Sequence, residues 1–408
     1  MQDRVPMYPG RVRLMPVPGQ DGLYDMVRAD QPTQEGTPLN KATLLSDETA
    51  ALYGLGQDAV PDDVFASIVS MLDGNWYNIH VQLPDGTPVA GAEVRGLTPT
   101  VGTKVYTNRK GDAFGKSNTD SASIQVISPY YDFVSSNSIS VPSTAKVTRY
   151  SVTLQAKALT YPFEIASSQK VRFSPKFGNV DMFLVGGGGS GAICGGYTTC
   201  STGGGGGFTQ TVKKIDLSDK EVLFTIGSGG SSVSSPNSGS PQNRNGIGGG
   251  STSVSITGGQ NYSVRGGGGG IGKDGGRNTS AMVSAGPADG CGKSAWVYIN
   301  NTMSSPKHRF TEAQSGARAF GESGGAVYGS GGGAYVRNLY DGSNGVQAGV
   351  DGGSGAGGYT LGQNGFAGQT YGSGGGPGCI DNYGSIGGKT CTSGAGKGGV
   401  VLIRKAVV

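Results

Sequence analysis

Apolar and polar residues alternate in two short segments near the start of the chain, at residues 11–17 and 22–27. Alternation with a period of two predicts β-strands, and the Pro/Gly-rich stretch at 18–22 predicts the turn of a hairpin. Behind Pro61 and two aspartates, apolar residues recur at helical spacing up to residue 72. Proline and acidic residues suit the first turn of a helix, so a short helix with one apolar stripe is predicted. That stripe packs either on its own hairpin or on copies of itself.

Residues 43–52 carry helix formers, and from residue 75 to about 157 the chain changes to many short alternating segments with turn signals between them. The clearest segments are residues 79–83, 105–107, 123–127, 139–141 and 149–154. Frequent short strands separated by turn residues are typical of an antiparallel β-sandwich.

The last 250 residues combine glycine runs with short apolar segments. The most hydrophobic runs, 180–185 and 400–403, lie at the two ends of this region, which predicts that the final strand returns to pair beside the first. The glycine runs between them are 186–189, 203–207, 248–250, 266–270, 331–333 and 374–376. A flexible linker is the alternative for such a composition. Strand-like segments at 208–212 and 222–226 favour an ordered domain instead.

Ordering glycine costs more backbone entropy than ordering any other residue. The cost can be offset if the runs lie side by side as extended helices with three residues per turn, bonding their N–H and C=O groups to each other. The predicted fold is therefore mainly β and multidomain. It consists of a small α/β N-terminal module (1–73), a sandwich spacer (74–158) and a glycine-rich domain (159–408) with polyglycine-type helices bracketed by strands.

Composition limits the possible partners. The chain has 408 residues, of which 78 are glycine, 35% are hydrophobic and 15% are charged, with a formal net charge of +4. So small a charge favours no nucleic-acid partner. No apolar stretch approaches the about 20 residues of a membrane span, and the N-terminus lacks the apolar core of a signal peptide. We therefore expect no membrane insertion, and synthesis in a cytoplasm without an export signal.

Cysteine and histidine spacing predicts no metal site, because the five cysteines form no C-x-x-C pair and there are only two histidines. The cysteines are either buried or free thiols, or they form a loop staple at 194–200 or 379–391. Phosphate-loop matches at 292–294 and 388–390 lack the required upstream glycine. With so few histidines a Ser-His-Asp relay is improbable. We expect no cofactor and no enzymatic activity.

A resemblance to a known family is carried by residues 28–45 and 51–55, which are similar to the N-terminal region of tail-fibre proteins. Those proteins come from phages and prophages of Gram-positive gut bacteria. The resemblance covers roughly the first 70 residues. It implies a virion or tail-like particle, with this end fixed to the baseplate or tail tip, and a homotrimer.

Two further resemblances cover the rest of the chain. Residues 83–94, with 106–111, resemble the carboxypeptidase-regulatory-like sandwich, which usually acts as a spacer. Residues 170–173, 180–189 and 396–404 resemble the glycine-rich C-terminal domain of the same tail fibres, and more loosely the glycine-rich tail-tip adhesins of T-even-like phages. These relatives imply a packed glycine scaffold whose loops contact the host receptor.

The candidate receptor site is the segment that begins at Trp296, which has no dense glycine run before residue 331. Aromatic faces suit a sugar ring, amides match its hydroxyls and cations suit acidic substituents, and loops on a rigid scaffold often carry function. The candidate residues are Trp296, Tyr298, Asn300, Asn301, His308, Arg309, Tyr335 and Tyr340. Alternatively, the aromatic side chains of this region cover the core and the faces of the glycine scaffold.

The combined interpretation is a tail-fibre receptor-binding protein, located in the virion and made in the host cytoplasm. It would adhere without covalent chemistry to a bacterial surface glycan or surface protein, with weak sites amplified by several copies on one particle. The alternative is a structural tail or fibre component without its own receptor site. A polysaccharide depolymerase ranks third.

Overall fold

The computed structural model describes residues 5–7, 10–29, 32–34, 60–71, 74–100, 102–195, 199–235, 243–274, 282–300, 307–337, 348–349, 352, 364–380 and 391–407. The predicted helix at 43–52 lies outside these residues. In chain order the elements are β1 (Val5–Pro6), β2 (Val12–Pro16), β3 (Tyr24–Arg28), β4 (Pro32–Gln34), α1 (Pro61–Met71), β5 (Asn75–Gln82), β6 (Glu93–Arg95), β7 (Thr98–Pro99), β8 (Val105–Tyr106), β9 (Asp112–Ser117), β10 (Ser121–Ile127), β11 (Phe133–Val134), β12 (Ile139–Pro142), β13 (Val147–Thr153), β14 (Gln155–Ala156), β15 (Phe163–Ile165), β16 (Gln169–Arg172), β17 (Asn179–Val185), β18 (Ile193–Gly195), β19 (Thr199–Thr202), β20 (Thr209–Asp216), β21 (Glu221–Thr225), β22 (Ser234–Ser235), β23 (Thr252–Ile256), β24 (Asn261–Val264), β25 (Gly272–Asp274), β26 (Met282–Ala285), β27 (Trp296–Asn300), β28 (Lys307–Thr311), β29 (Ala317–Arg318), a 3₁₀ turn (Ala319–Gly321), β30 (Val327–Tyr328), β31 (Ala334–Arg337), β32 (Gly378–Ile380), β33 (Cys391–Thr392) and β34 (Val400–Lys405).

The chain divides into two compact units. The first contains residues 1–127 and 135–154, and the second contains residues 128–134 and 155–408. The short segment 128–134 thus belongs to the second unit, where β11 pairs with β14. The protein is mainly β, and most of its strands pair antiparallel.

The N-terminal hairpin forms as its alternating pattern predicts. Strands β2 and β3 pair antiparallel, with Leu14 opposite Met26, and all of β2 is exposed. The register places one set of apolar residues on the same face of the hairpin, namely Val12, Leu14, Pro16, Tyr24 and Met26. Helix α1 begins at Pro61, with the two aspartates in its first turn. Its Phe65 is 64% exposed and its Ile68 37% exposed, so these two apolar side chains are open to solvent in the single chain.

The sandwich consists of two four-stranded sheets, ordered β12-β10-β6-β8 and β13-β5-β9-β7. In β5 alternate residues are buried, including Ile79 and Val81, and β10 buries Ile124 and Val126 in the same way. One pair departs from the predicted antiparallel sandwich, because β13 runs parallel to β5. A parallel pair needs a long connection between its strands, and residues 83–146 provide it.

The bracketing strands of the glycine-rich region pair as predicted. Strand β34 lies antiparallel to β17 in the sheet β15-β34-β17-β20, with Val185 opposite Val400. A second sheet, β16-β21-β23-β24, contributes to the same core. That core contains Phe163, Ile165, Phe173, Phe177, Val180, Met182, Leu184, Val212, Leu217, Val222, Phe224, Val254, Ile256, Val264, Val401 and Ile403.

Directly after β17 the chain continues as a buried glycine run, residues 186–192, which we call the central run. Its N–H groups donate in rotation to three neighbouring segments, residues 202–208, 247–250 and 394–397, over N···O distances of 2.9–3.1 Å. The donor and acceptor residues are, in order, Gly186 to Phe208, Gly187 to Gly250, Gly188 to Lys397, Gly189 to Gly205, Ser190 to Ile247, Gly191 to Gly394 and Ala192 to Thr202. The same neighbour therefore returns at every third residue.

The carbonyl groups of the central run face three other segments. The N–H donor and the carbonyl acceptor are, in each pair, Gly267 and Gly187, Gly230 and Gly188, Gly375 and Gly189, Gly270 and Ser190, and Gly378 and Ala192. The central run is thus surrounded by six segments, which donate to it or accept from it. The glycine runs lie side by side and bond to each other, as the sequence predicted.

Close approach of the runs explains why they consist of glycine. A Cβ atom placed on Gly189 would lie 2.0 Å from the carbonyl oxygen of Gly268, and one on Gly187 would lie 2.0 Å from that of Ser228. Backbone atoms cannot move aside as a flexible side chain can. Each of these positions therefore excludes every side chain.

The buried cysteines Cys194, Cys200 and Cys391 are thiols rather than disulfide sulfurs. The staples 194–200 and 379–391 are therefore wrong, and the alternative of buried thiols holds for these three residues. The strand register instead places Cys194 opposite Cys379, in the parallel pair β18–β32. None of the helices described is long and apolar enough to span a bilayer.

Candidate functional site

The segment predicted to be a binding loop begins as a β-hairpin. Strands β27 and β28 pair antiparallel, and β26 lies on the other side of β27. The loop prediction was wrong for residues 296–300 and 307–311, because these residues form two paired strands. Val297 and Ala285 are fully buried against Cys200 in a small core cluster.

The opposite face of this three-stranded sheet carries the predicted aromatic residues. Trp296 and Tyr298 flank the buried Val297 in sequence and are half-buried. Since successive strand residues point to opposite faces, both rings lie on the side away from that core cluster. We call this side, defined by Trp296, Tyr298 and Arg309, the sheet face.

The register aligns a hydroxyl, a phenol and a cation across the sheet face. Ser284 of β26 lies opposite Tyr298, and Tyr298 lies opposite Arg309 of β28. Directly opposed strand residues have Cβ atoms about 4.5–5.5 Å apart, so these side chains are neighbours. Arg309 is exposed, and among the described residues its side chain has no ion-pair partner. The sheet face can therefore offer an aromatic surface, a hydroxyl and an exposed cation to one ligand.

The other predicted site residues are distributed less favourably. Asn300 lies opposite Lys307 at the end of the hairpin, whereas His308 lies opposite Ile299, one register step from Tyr298. Tyr335 belongs to β31, where it pairs with Ser201 in a different sheet, although β27 contacts that strand. Asn301 and Tyr340 lie outside the described residues.

For two other tyrosines the alternative role, covering the scaffold, is correct. Tyr328 and Tyr371 pack on the outer side of β17 and β34, and the Tyr328 ring meets that of Phe183 edge-on at 5.6 Å. Burial raises the pKa of the Tyr328 phenol, and Glu164 adds to the effect. Burial likewise raises the pKa of Tyr371, whose hydroxyl donates to the Glu164 carboxylate at 3.2 Å. Both phenols therefore stay neutral at physiological pH.

Ser284 could not be found from the sequence, because only the strand register brings β26 beside β27. Its signal is weak, a single serine in the short segment Met-Val-Ser-Ala. As for metals, the described part of the chain holds no group of three or more His, Cys, Asp or Glu side chains able to bind an ion.

Comparison with protein-family models places the glycine-rich region in a known family. A model described as a glycine-rich domain matches residues 165–406. The match begins at the last residue of β15 and extends past β34, so it includes the other strands of the two core sheets, the central run and the sheet face. No curated protein matches the chain. Because the family model covers more than half of the chain, the protein belongs to the glycine-rich domain family.

Proposed function

We propose that this chain is a receptor-binding tail-fibre protein of a phage or phage-tail-like particle. It holds a bacterial surface glycan or surface protein by non-covalent contacts. The observation that carries the proposal is the sheet face, on which Tyr298 and Arg309 stand opposite each other beside Trp296. The sheet that presents it packs through Ala285 and Val297 on β19, the strand that leads into the glycine run at 202–208.

The glycine runs supply a rigid support for this face. A hydrogen-bond pattern that repeats every third residue fits extended helices with three residues per turn, so we assign the runs to polyglycine-type helices. Binding sites on rigid elements hold their geometry better than sites on free loops. The backbone entropy lost on ordering so much glycine is offset by the hydrogen bonds between the runs, so the runs can support the sheet face rigidly.

The chemistry of the sheet face suits a sugar. The aromatic rings can lie against the apolar side of a pyranose, the Ser284 hydroxyl can bond its hydroxyls, and Arg309 can bond an acidic substituent. A small face of this kind binds weakly. Several copies on one particle would raise the overall avidity by orders of magnitude.

The N-terminal residues fit attachment and assembly. The apolar face of the β2–β3 hairpin leaves Leu14 60% and Met26 72% exposed, which is unusual for a monomer. We propose that this face forms a homotrimer and that the N-terminal module holds the trimer on the baseplate or tail tip. The protein would then be made in the host cytoplasm and act in the virion.

The test is binding of the fluorescently labelled full-length chain to intact cells of candidate hosts. The double variant Tyr298→Ala/Arg309→Ala is expected to bind at least about tenfold more weakly, since it removes an aromatic contact and a charge-assisted bond. The matched control Tyr106→Ala/Arg95→Ala makes the same changes on exposed residues of the sandwich and should bind like the parent.

Unchanged melting of both variants must be confirmed first. If the sheet-face variant folds and binds cells like the parent, the receptor site lies elsewhere. If the parent itself binds no candidate host, the structural-component alternative is preferred, since the exposed apolar hairpin would serve assembly alone.

A further inference from the structure

The sandwich carries a polar depression on the outer face of its sheet β13-β5-β9-β7. It has a volume of about 310 Å³ and lies among three neighbouring strands. The residues that line it are Asn78, His80, Asp112, Arg149, Tyr150 and Ser151. Such a grouping on a spacer needs a physical explanation, because the outer face of a sandwich usually carries scattered, solvated side chains.

The strand register arranges this face as two rows. Arg149 lies opposite Asn78, and Asn78 lies opposite Phe114. In the next row Ser151 lies opposite His80, and His80 lies opposite Asp112. Directly opposed residues share a face, so a guanidinium, an amide and a hydroxyl line one space, and the Phe114 ring lies beside it next to Asn78.

The Phe114 ring is held in place by stacking on Trp76. Phe114 stacks on Trp76 with a centroid distance of 5.0 Å and an interplanar angle of 20°, and it is still 43% exposed. Trp76 is nine-tenths buried, so it fixes the orientation of the Phe114 ring. A fixed, partly exposed ring beside an amide is the arrangement that stacks on a sugar.

Two features show that the polar groups are not satisfied within the protein. The carbonyl oxygen of the Asn78 side chain is buried without a hydrogen-bond partner in the described residues, and so is the indole nitrogen of Trp76. The Asp112 carboxylate is bonded to His80 Nδ1 at 2.9 Å. Arg149 therefore remains as a cation without a counter-charge among the residues described. A ligand with hydroxyl groups and one negative charge would match both needs, once the Asn78 amide rotates towards the depression.

We infer that this depression is a second binding site, specific for an acidic saccharide. Arg149 bonds the carboxylate, Asn78 and Ser151 bond ring hydroxyls, and Phe114, at the edge of the depression beside Asn78, contacts the apolar side of a sugar unit that extends past Asn78. The site goes beyond the adhesion proposed for the sheet face, since it lies in the other unit of the chain.

The row Ser151–His80–Asp112 contains the residue types of a hydrolytic relay, yet its geometry favours binding. No hydrogen bond joins Ser151 to His80 among the described contacts, and Asp112 bonds only the His80 ring on this face. Strand β5 stands between two paired strands, so its N–H groups serve the sheet rather than a reacting oxygen.

The test is calorimetric titration of the full-length chain with trigalacturonic acid, a saccharide with carboxylates. Because Arg309 could bind the same group, the titration is done in the Arg309→Ala background. We expect binding with a Kd of about 0.1–1 mM, and at least about tenfold weaker binding for Arg149→Gln. The control Arg95→Gln makes the same charge change on the opposite sheet and should bind like the background protein.

A second variant, Phe114→Ala, should weaken binding without changing the charge. Galactotriose, the neutral matched sugar, should bind at least about tenfold more weakly than the acidic one. The inference is overturned if both sugars bind equally, if a folded Arg149→Gln binds like the background protein, or if no heat is seen at tenfold higher ligand concentration. None of these results bears on cell binding through Tyr298 and Arg309.

Discussion

Replacement of Gly189 by alanine is expected to unfold the glycine-rich unit or to lower its stability by about 3–5 kcal/mol. The new methyl carbon would lie 2.0 Å from the Gly268 oxygen and 2.6 Å from its carbonyl carbon. These are backbone atoms of a neighbouring run, itself bonded on other sides, so no side chain can rotate away. Thermal unfolding followed by calorimetry should show a transition lowered by about 10 °C or more.

The matched control for this substitution is Gly398→Ala, in a run that also contacts the central run. A methyl group at Gly398 has its nearest neighbour, the Gly227 oxygen, at 3.5 Å, which is an ordinary contact. This variant should be neutral or stabilised by up to about 1 kcal/mol, because alanine restricts the unfolded chain. Equal melting of the two variants would show that the run at 186–192 is not packed as described.

Introducing lysine at both Leu14 and Met26 is expected to convert a trimer into monomers. The two residues lie opposite each other on the apolar face of the β2–β3 hairpin, and both are exposed in the single chain. Burying two lysine ammonium groups in the proposed interface, without opposite charges to pair with them, would destabilise the trimer by several kcal/mol. Light scattering should report three chains of 41.2 kDa for the parent and one for the variant.

Met15→Lys is the control, since Met15 lies on the other face of the hairpin, opposite Asp25. It should leave the trimer intact. A parent protein that scatters as a single chain at micromolar concentration would refute the trimer, and a double variant that stays trimeric would place the interface elsewhere.

Where one physical signal dominated, the sequence was sufficient to predict the fold. The alternation in residues 11–17 and 22–27 predicted β2 and β3, and Pro61 with its two aspartates predicted the start of α1. The pairing of β17 with β34 followed from two strongly apolar runs at the ends of a polar, glycine-rich region. These signals are local, or they depend only on hydrophobicity.

The sequence alone could not predict the register of the paired strands or whether they run parallel or antiparallel. The parallel pairing of β13 with β5 depends on how the intervening strands cross, which no local pattern encodes. In the candidate site, Tyr298 and Arg309 lie opposite each other on paired strands, and this hairpin was mistaken for a loop because glycine-rich surroundings hid the alternation. Ser284 of the candidate site was missed, and so was the row of Arg149, Asn78 and Phe114 on the sandwich. Each depends on contacts between strands that are distant in sequence.

Amide hydrogen exchange of the full-length protein, resolved over residues 186–192, distinguishes glycine runs that form a bonded lattice from a flexible chain. Each of these seven N–H groups donates to a carbonyl of a neighbouring segment and lies in a buried run, so exchange should require global unfolding. The predicted result is protection equal to that of strand Asn179–Val185. Exchange at the rate of an unstructured chain, while that strand remains protected, would contradict the account.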